Sequence, residues 1–309
     1  MYKKILNLIK NPIRILFILC GRGFINLNWL SDEKFIKMEY AAYTGKKLNL
    51  SSPKTFNEKI QWLKLYGKLE NYTHLVDKYE VRKYISATIG EKYLIPLIGV
   101  WNKFDDIDFN KLPEQFVLKC THDFNSIIIC KDKTTFNKRK ARNKLEKCLK
   151  RNFYYSGRET QYKNIKPKII AEKYMVDESG IELKDYKIFC FNGIPRVIQV
   201  DFDRFVDHKR LIFDTEWNYI PVAIAYPTNH EWIINKPENL GEMLHLAEIL
   251  SKNYPHVRVD LYSIAGRIYF GELTFTHEAG FAKFEPEEFA YKMGSWIELP
   301  SADILIKND

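Results

Sequence analysis

The chain has 309 residues, 48 Lys+Arg against 39 Asp+Glu, a formal net charge of +9, 46% hydrophobic and 28% charged residues. That length suggests about two domains, since single cores stop growing near ~250–300 residues, and the composition excludes a disordered chain, a collagen-like fibre and a multi-span membrane protein. Five cysteines with no C-x-x-C spacing argue against a disulfide framework or a zinc knuckle and for a reducing cytoplasm.

The chain begins MYKKILNLIKNPIRILFILCGRG. Lys10 and Arg14 interrupt its apolar run, so it falls short of the ~20 apolar residues of a transmembrane helix, and it has no signal-peptide cleavage pattern. Lys3, Asn7, Lys10 and Arg14 recur at helical spacing, with Ile5, Leu8, Ile9, Ile13, Leu16 and Phe17 opposite and Pro12 dividing the helix. Such a basic amphipathic stretch over 1–22 suits a membrane surface, and it equally suits an ordinary packed helix; both readings stay open.

Residues 31–90 read as helical, with Ser31 an N-cap, Gly45, Gly67 and Gly90 as stops, and Phe56, Ile60 and Leu63 at helical spacing. From Tyr93 short β-like runs take over: YLIPLIGVW, FVLKC and SIIICKD, a helix over 134–152, then KIIAEKYM, DYKIFCFNG, PRVIQVDFDR and KRLIFD. A helix near 238–252 precedes the hairpin VRVDLYSIAGRIYFGELTF. Strand runs with few helices between them predict an α+β fold with largely antiparallel sheets. The organisation expected is a helical region over 1–90 followed by an α+β domain over 91–300. Charge is uneven: residues 119–158 hold twelve Lys/Arg and three Asp/Glu. The basic helix within this stretch is a solvated face or a surface for a polyanion such as an acidic polysaccharide. No nucleic-acid-binding motif accompanies it.

The C-terminal hairpin carries the strongest local signal. Ala265-Gly266 joins its strands, and a two-residue type I′ turn would force Ala265 to positive φ. A three-residue loop with a bulge at Gly266 avoids that cost and sets the register so that Asp260 and Glu272 share a face, with Arg258 beside them and Ile268, Phe270 and Thr274 aligned with Glu272. Two carboxylates and a threonine oxygen on one sheet face suit Mg²⁺, and an arginine in that row suits phosphate. The alternative is a solvated face with a scattered salt bridge, but an unpaired Glu272 in so apolar a strand would be expensive. Lys119 in FVLKC and Lys187 in DYKIFCF also sit inside β runs, where each is a water-facing edge residue or part of a nucleotide–metal site. Neither a P-loop nor a Rossmann glycine motif is present.

DKYEVRKYI, KLPEQFVLKCTHDFNSIIICKDK, IIAEKYM, DYKIFCFNG, VRVDLY and FGELTF, in that order, resemble the TupA-like ATP-grasp family of bacterial capsule and surface-polysaccharide enzymes. The resemblance covers nearly all of residues 50–300. It implies an ATP-grasp fold: two α+β subdomains, 91–172 and 173–300, clasping a nucleotide. It further implies ATP and Mg²⁺ as cofactors. Lys119 would contact nucleotide phosphates under a loop from His122 through Asn125 to Ser126. Glu172, Lys173 and Met175 would line the adenine pocket, Lys187 would contact phosphate, and Asp260 and Glu272 would hold Mg²⁺ with Arg258 near the transferred phosphoryl group. Two departures stand out. The loop THDFNS has no glycine, and Thr274 stands where most ATP-grasp enzymes place an asparagine metal ligand. His122 and His277 flank these loops, as structural residues or, for His277, facing an acceptor.

ATP-grasp chemistry implies an amide ligase joining an amino acid or peptide to a uronic acid or related carboxylate. The acceptor would be an acidic saccharide or polysaccharide, and the enzyme would be cytoplasmic with its N-terminus at the inner membrane face. A sugar-nucleotide-dependent glycosyltransferase is the main rival, and a non-catalytic polyanion-binding protein the third reading.

Overall fold

A computed structural model describes residues 12–178, 180, 183–202 and 208–300. Residues Lys3 to Lys10 of the amphipathic reading lie outside the described residues. The chain forms two compact units: Met1–Thr73, Asn152–Asn164 and Thr276–Asp309 in one, and His74–Arg151 and Ile165–Phe275 in the other. The expected boundary at residue 90 therefore falls inside the second unit. Residues 78–82 are tied there by Lys78 N donating to Thr121 O (2.9 Å) and by Arg82 reaching Glu172 (3.5 Å).

The first unit is helical. Ser31 caps the helix Asp32–Thr44 by accepting from Lys34 N, and Gly45 ends it at φ 71°. Thr55 and Glu58 form a capping box at the start of the helix Phe56–Tyr66. The helix Glu288–Ser295 packs so tightly against that start that a Cβ on Gly294 would lie 2.1 Å from Lys54 O. The short segment 152–164 joins residues 276 onward through Gln161 Nε2, which donates to Thr276 Oγ1 (2.9 Å). The apolar core gathers Phe17, Leu27, Phe35, Ile36 and Tyr40, and a polar cluster is buried beside it: Glu39, Gln61, Lys64 and Arg158.

The second unit holds two antiparallel sheets. The first comprises β1 (Leu97–Trp101), β2 (Phe116–Cys120), β3 (Ile128–Cys130) and β4 (Ile169–Lys173) in the order β1-β4-β2-β3. Alternation sends Phe116, Leu118 and Cys120 into a core with Leu145 and Cys148 of the helix Lys138–Leu149, and leaves Val117 and Lys119 on the opposite face. The second sheet has β5 (Asp185–Phe191), β6 (Ile194–Phe202), β7 (Lys209–Phe213), then, after the two-residue β8 (Ala223–Ile224), β9 (His256–Ile264) and β10 (Arg267–Thr274), in the order β10-β9-β5-β6-β7. The helix Leu240–Ser251 covers its apolar face.

The hairpin register corrects the sequence reading. Ala265 (φ 46°) and Gly266 (φ 73°) form a two-residue turn, and Ile264 faces Arg267. The parity change comes later, at a bulge: Phe270 faces Leu261, Gly271 is extra, and Glu272 faces Asp260. Phe270 and Leu273 consequently share the buried face, while Glu272 and Thr274 lie opposite, so Ile268 and Phe270 do not align with Glu272. Glycine fits at the bulge because a Cβ there would meet Asp260 O at 3.0 Å.

Candidate active site

The uncovered face of the second sheet is polar, and its rows follow from the register. One row runs Glu272, Asp260, Lys187, Gln199 across β10, β9, β5 and β6. The next runs Tyr262, Asp185, Asp201, Arg210 across β9, β5, β6 and β7. Lys187 Nζ donates to Asp185 and lies 2.9 Å from Asp201 Oδ2. Asp201 Oδ1 also accepts from Arg210 Nε (2.6 Å). Burial opposes the charge on Asp201, but the His208 hydrogen bond and the Lys187 and Arg210 cations outweigh it and hold its carboxyl well below the usual range.

Arg258 organises the other end of the face. Its Nη2 donates to Asp260 Oδ2 (2.6 Å), Thr274 Oγ1 (3.0 Å) and Glu272 Oε1 (3.3 Å). Burial pushes the Asp260 carboxyl up to about 7 against the pull of Arg258 and Lys187, so this carboxylate depends on neighbouring cations to stay ionised. Burial acts likewise on Glu272, but Lys78, Arg258 and Lys187 prevail and lower it. Among the described residues, no group of three or more His, Cys, Asp or Glu side chains is placed to hold a metal alone. The all-oxygen set Asp260, Glu272 and Thr274 fits Mg²⁺, which binds through one or two carboxylates and completes its shell with water and phosphate oxygens.

The first sheet lines a cleft of about 1130 Å³. Lys119, Glu172 and Met175 line it from one side, and Phe202 and Tyr262 of the second sheet from the other. Lys119 Nζ pairs with Glu172 Oε2 at 2.6 Å, and Arg82 approaches the other oxygen at 3.5 Å. The walls are largely apolar, as in small-molecule sites generally, and besides this pair they carry Lys131, Asp132, Lys140, Lys144, Lys173 and Lys184.

The loop between β2 and β3 closes without a residue at positive φ, which explains how it dispenses with glycine. Asp123 Oδ1 accepts from Ser126 N (3.2 Å) and from the Ser126 hydroxyl, and Ser126 Oγ accepts from Cys120 N (2.7 Å). His122 Nε2 meets the carbonyls of Cys148 and Arg151, each at 3.1 Å. Lys78 Nζ donates to Asp123 O (2.6 Å) and lies 4.0 Å from Glu272 Oε2, linking this loop to the carboxylate face.

The family model described as TupA-like ATPgrasp matches residues 58–298, more than three-quarters of the chain. The chain belongs to the TupA-like ATP-grasp family. No curated protein matches it. Among solved structures, it is similar to D-alanine–D-alanine ligase from Bacillus anthracis complexed with ATP (16% identity, 65% of this chain and 54% of that chain, TM-score 0.38). It is also similar to the L-amino acid ligase from Bacillus licheniformis (12% identity, 80% and 57%, TM-score 0.46). The chain thus spans just over half the length of these two proteins.

In this TupA-like ATP-grasp chain the sequence-selected residues fall into three groups. Lys119, Glu172, Lys173 and Met175 line the cleft. Lys187, Arg258, Asp260, Glu272 and Thr274 share the second sheet's polar face. His122 and Ser126 are turned inward and hold their own loop, which leaves the exposed tip Phe124-Asn125. His277 is fully buried beside Phe56 in the first unit, which gives it no open side toward an acceptor. Sequence reasoning assigned no role to Lys78, Arg82, Asp185, Asp201 or Arg210. Only Asp185, two residues before Lys187 on one strand, carried a local signal, namely the two-residue period.

Proposed function

We propose that the chain is an ATP-dependent carboxylate–amine ligase acting on a uronic acid or related acidic saccharide in bacterial surface-polysaccharide synthesis. The observation that carries this reading is the row Glu272–Asp260–Lys187 with Arg258 bridging its carboxylates, beside a cleft that holds the Lys119–Glu172 pair. In this reading Lys119, Glu172, Lys173 and Met175 hold the nucleotide, and Asp260, Glu272 and Thr274 hold Mg²⁺. Mg²⁺ supplies charge neutralisation at the transferred phosphoryl group. Lys187 and Arg258 orient that group and offset its negative charge from fixed positions that need no reorganisation. An acceptor carboxylate oxygen attacks the γ-phosphorus and ADP departs, giving an acyl phosphate. The amine then attacks the acyl carbon, loses a proton, and releases phosphate. Lys131, Lys140 and Lys144 on the cleft wall favour an acidic acceptor.

The test is ADP release with ATP, Mg²⁺ and panels of uronic acids and amino acids. The reading expects ADP release that needs both a carboxylate and an amine, and ATP raising the melting temperature. Protection by a UDP- or CMP-sugar with none by ATP would overturn it in favour of glycosyl transfer.

A further inference from the structure

The helix Lys138–Leu149 folds against the preference of its own charges. Six of its twelve residues are Lys or Arg, and only Glu146 is acidic. Asn137 caps its start by accepting from Lys140 N (2.8 Å), yet the first turn is Lys138-Arg139-Lys140 with no acid. The positive end of the helix dipole lies there and disfavours cations. Lys140, Lys144, Lys147 and Lys150 then follow at spacings of four, three and three, where like charges repel one another. A solvated helix face has no need of either cost.

Two of the cations have partners on one flank. Lys138 Nζ lies 4.9 Å from the centre of the Phe109 ring, and Arg142 pairs with Asp105 and, at 3.8 Å, with Glu146. Ala141, Leu145 and Cys148 form the buried stripe. The remaining arc carries Arg139, Lys140, Asn143, Lys144, Lys147 and Lys150, all exposed, with no acidic residue among them. Lys144 Nζ donates to Ile127 O (2.8 Å). Among the described residues, Arg139, Lys140, Lys147 and Lys150 pair with no carboxylate. One edge of the arc is cleft wall, because Lys140 and Lys144 line the cleft with Lys131 and Lys173, and Lys147 and Lys150 continue past that lining. At about 1.5 Å of rise per residue, Lys140 to Lys150 covers about 15 Å, more than one sugar ring spans.

We propose that this arc is a docking track for a linear polycarboxylate: the acceptor is one unit of an acidic chain, held in the cleft while neighbouring units lie along Lys147, Lys150 and Arg139. Repeated carboxylates on the occupant relieve the repulsion that the helix carries when bare. The identity of the occupant rests on the ligase reading. A single nucleic-acid strand is disfavoured, because the arc has no aromatic side chain for base stacking. A duplex is too wide to continue into a cleft of about 1130 Å³. A lipid surface is disfavoured because the arc offers no apolar side chain to insert.

The test is titration of the full chain, without ATP, with galacturonic acid and with a ten-unit oligogalacturonate. The decamer is expected to bind at least 10-fold more tightly than the monomer, with an affinity that falls at least 10-fold from low to high salt. The triple variant Arg139→Gln/Lys147→Gln/Lys150→Gln is expected to lose at least 10-fold in decamer affinity and nothing in monomer affinity. It should melt at or above the wild-type temperature, since it removes repulsion from the helix. Equal affinity for monomer and decamer, or a triple variant that binds the decamer as the wild type does, would overturn the proposal. So would duplex DNA or anionic vesicles that bind more tightly than the decamer and are lost in the same variant. These outcomes stand apart from turnover: ADP release with a decamer bound no tighter than the monomer refutes the track and keeps the ligase, and length-dependent binding without ADP release does the reverse.

Discussion

Arg258 presents Nε and Nη2 to the two oxygens of Asp260, each at 2.6 Å. This two-point contact fixes the guanidinium so that the same Nη2 also reaches Thr274 and Glu272. A lysine keeps the charge but cannot make the planar fork. Arg258→Lys should lower stability by about 2 kcal/mol, the scale of one charge-assisted hydrogen bond. It should lower turnover about 100-fold with little change in the KM for ATP. Chemical denaturation and steady-state ADP release measure the two effects.

Lys78 joins the β2–β3 loop to Glu272, with one bond to the Asp123 carbonyl and an ion-pair distance to the carboxylate. Lys78→Met keeps much of the chain length and removes both links. The expected outcome is a raised KM for ATP and roughly 10-fold lower turnover, about 1.4 kcal/mol, with faster amide exchange over residues 121–127. Unchanged kinetics together with unchanged exchange would show that the loop holds itself.

Ala265 occupies the first central position of a type I′ turn at φ 46°, a conformation that asparagine tolerates far better than alanine. Its amide also donates to Glu178, which helps hold the strained residue in place. Ala265→Asn should raise stability by about 0.5–1 kcal/mol without affecting the site, as read by a thermal melt and an activity assay.

The helices were legible because their caps are local: Ser31, Thr55 and Gly45 act through bonds within a few residues. Strand lysines were legible because Lys119 and Lys187 break apolar runs. The hairpin was not legible in the same way. Sterics alone disfavour Ala265 at positive φ, yet the turn accepts it, and the register is reset at Gly271 by packing against β9. Asp260 and Glu272 were expected to share a face and do, as direct partners across a bulge rather than through the turn chemistry that suggested it. Asp185, Asp201 and Arg210 come from three strands whose register no local pattern encodes.

Glu39 is buried in the helical unit, and burial pushes its carboxyl up to about 7 against the pull of Lys64. A raised carboxyl favours the folded state when protonated. Stability is full below the unfolded value near 4.5 and is lost as pH rises toward 7, by about 3 kcal/mol. Glu39→Gln should remove that slope, giving a variant more stable than the wild type at pH 8 and close to it at pH 4. Denaturation midpoints across pH 4–8 provide the check.

The helical unit draws on three separated stretches of chain, with residues 276 onward locked onto the capped start of the helix Phe56–Tyr66 at Gly294. During synthesis on the ribosome, the helices of its first stretch emerge more than two hundred residues before the piece that completes their packing. Their apolar faces stay uncovered for the seconds that this interval takes at ordinary elongation rates. Nascent chains of this protein are therefore expected to need their apolar faces shielded until residues 276 onward have emerged, and truncation before residue 276 should leave the helical unit aggregation-prone rather than folded.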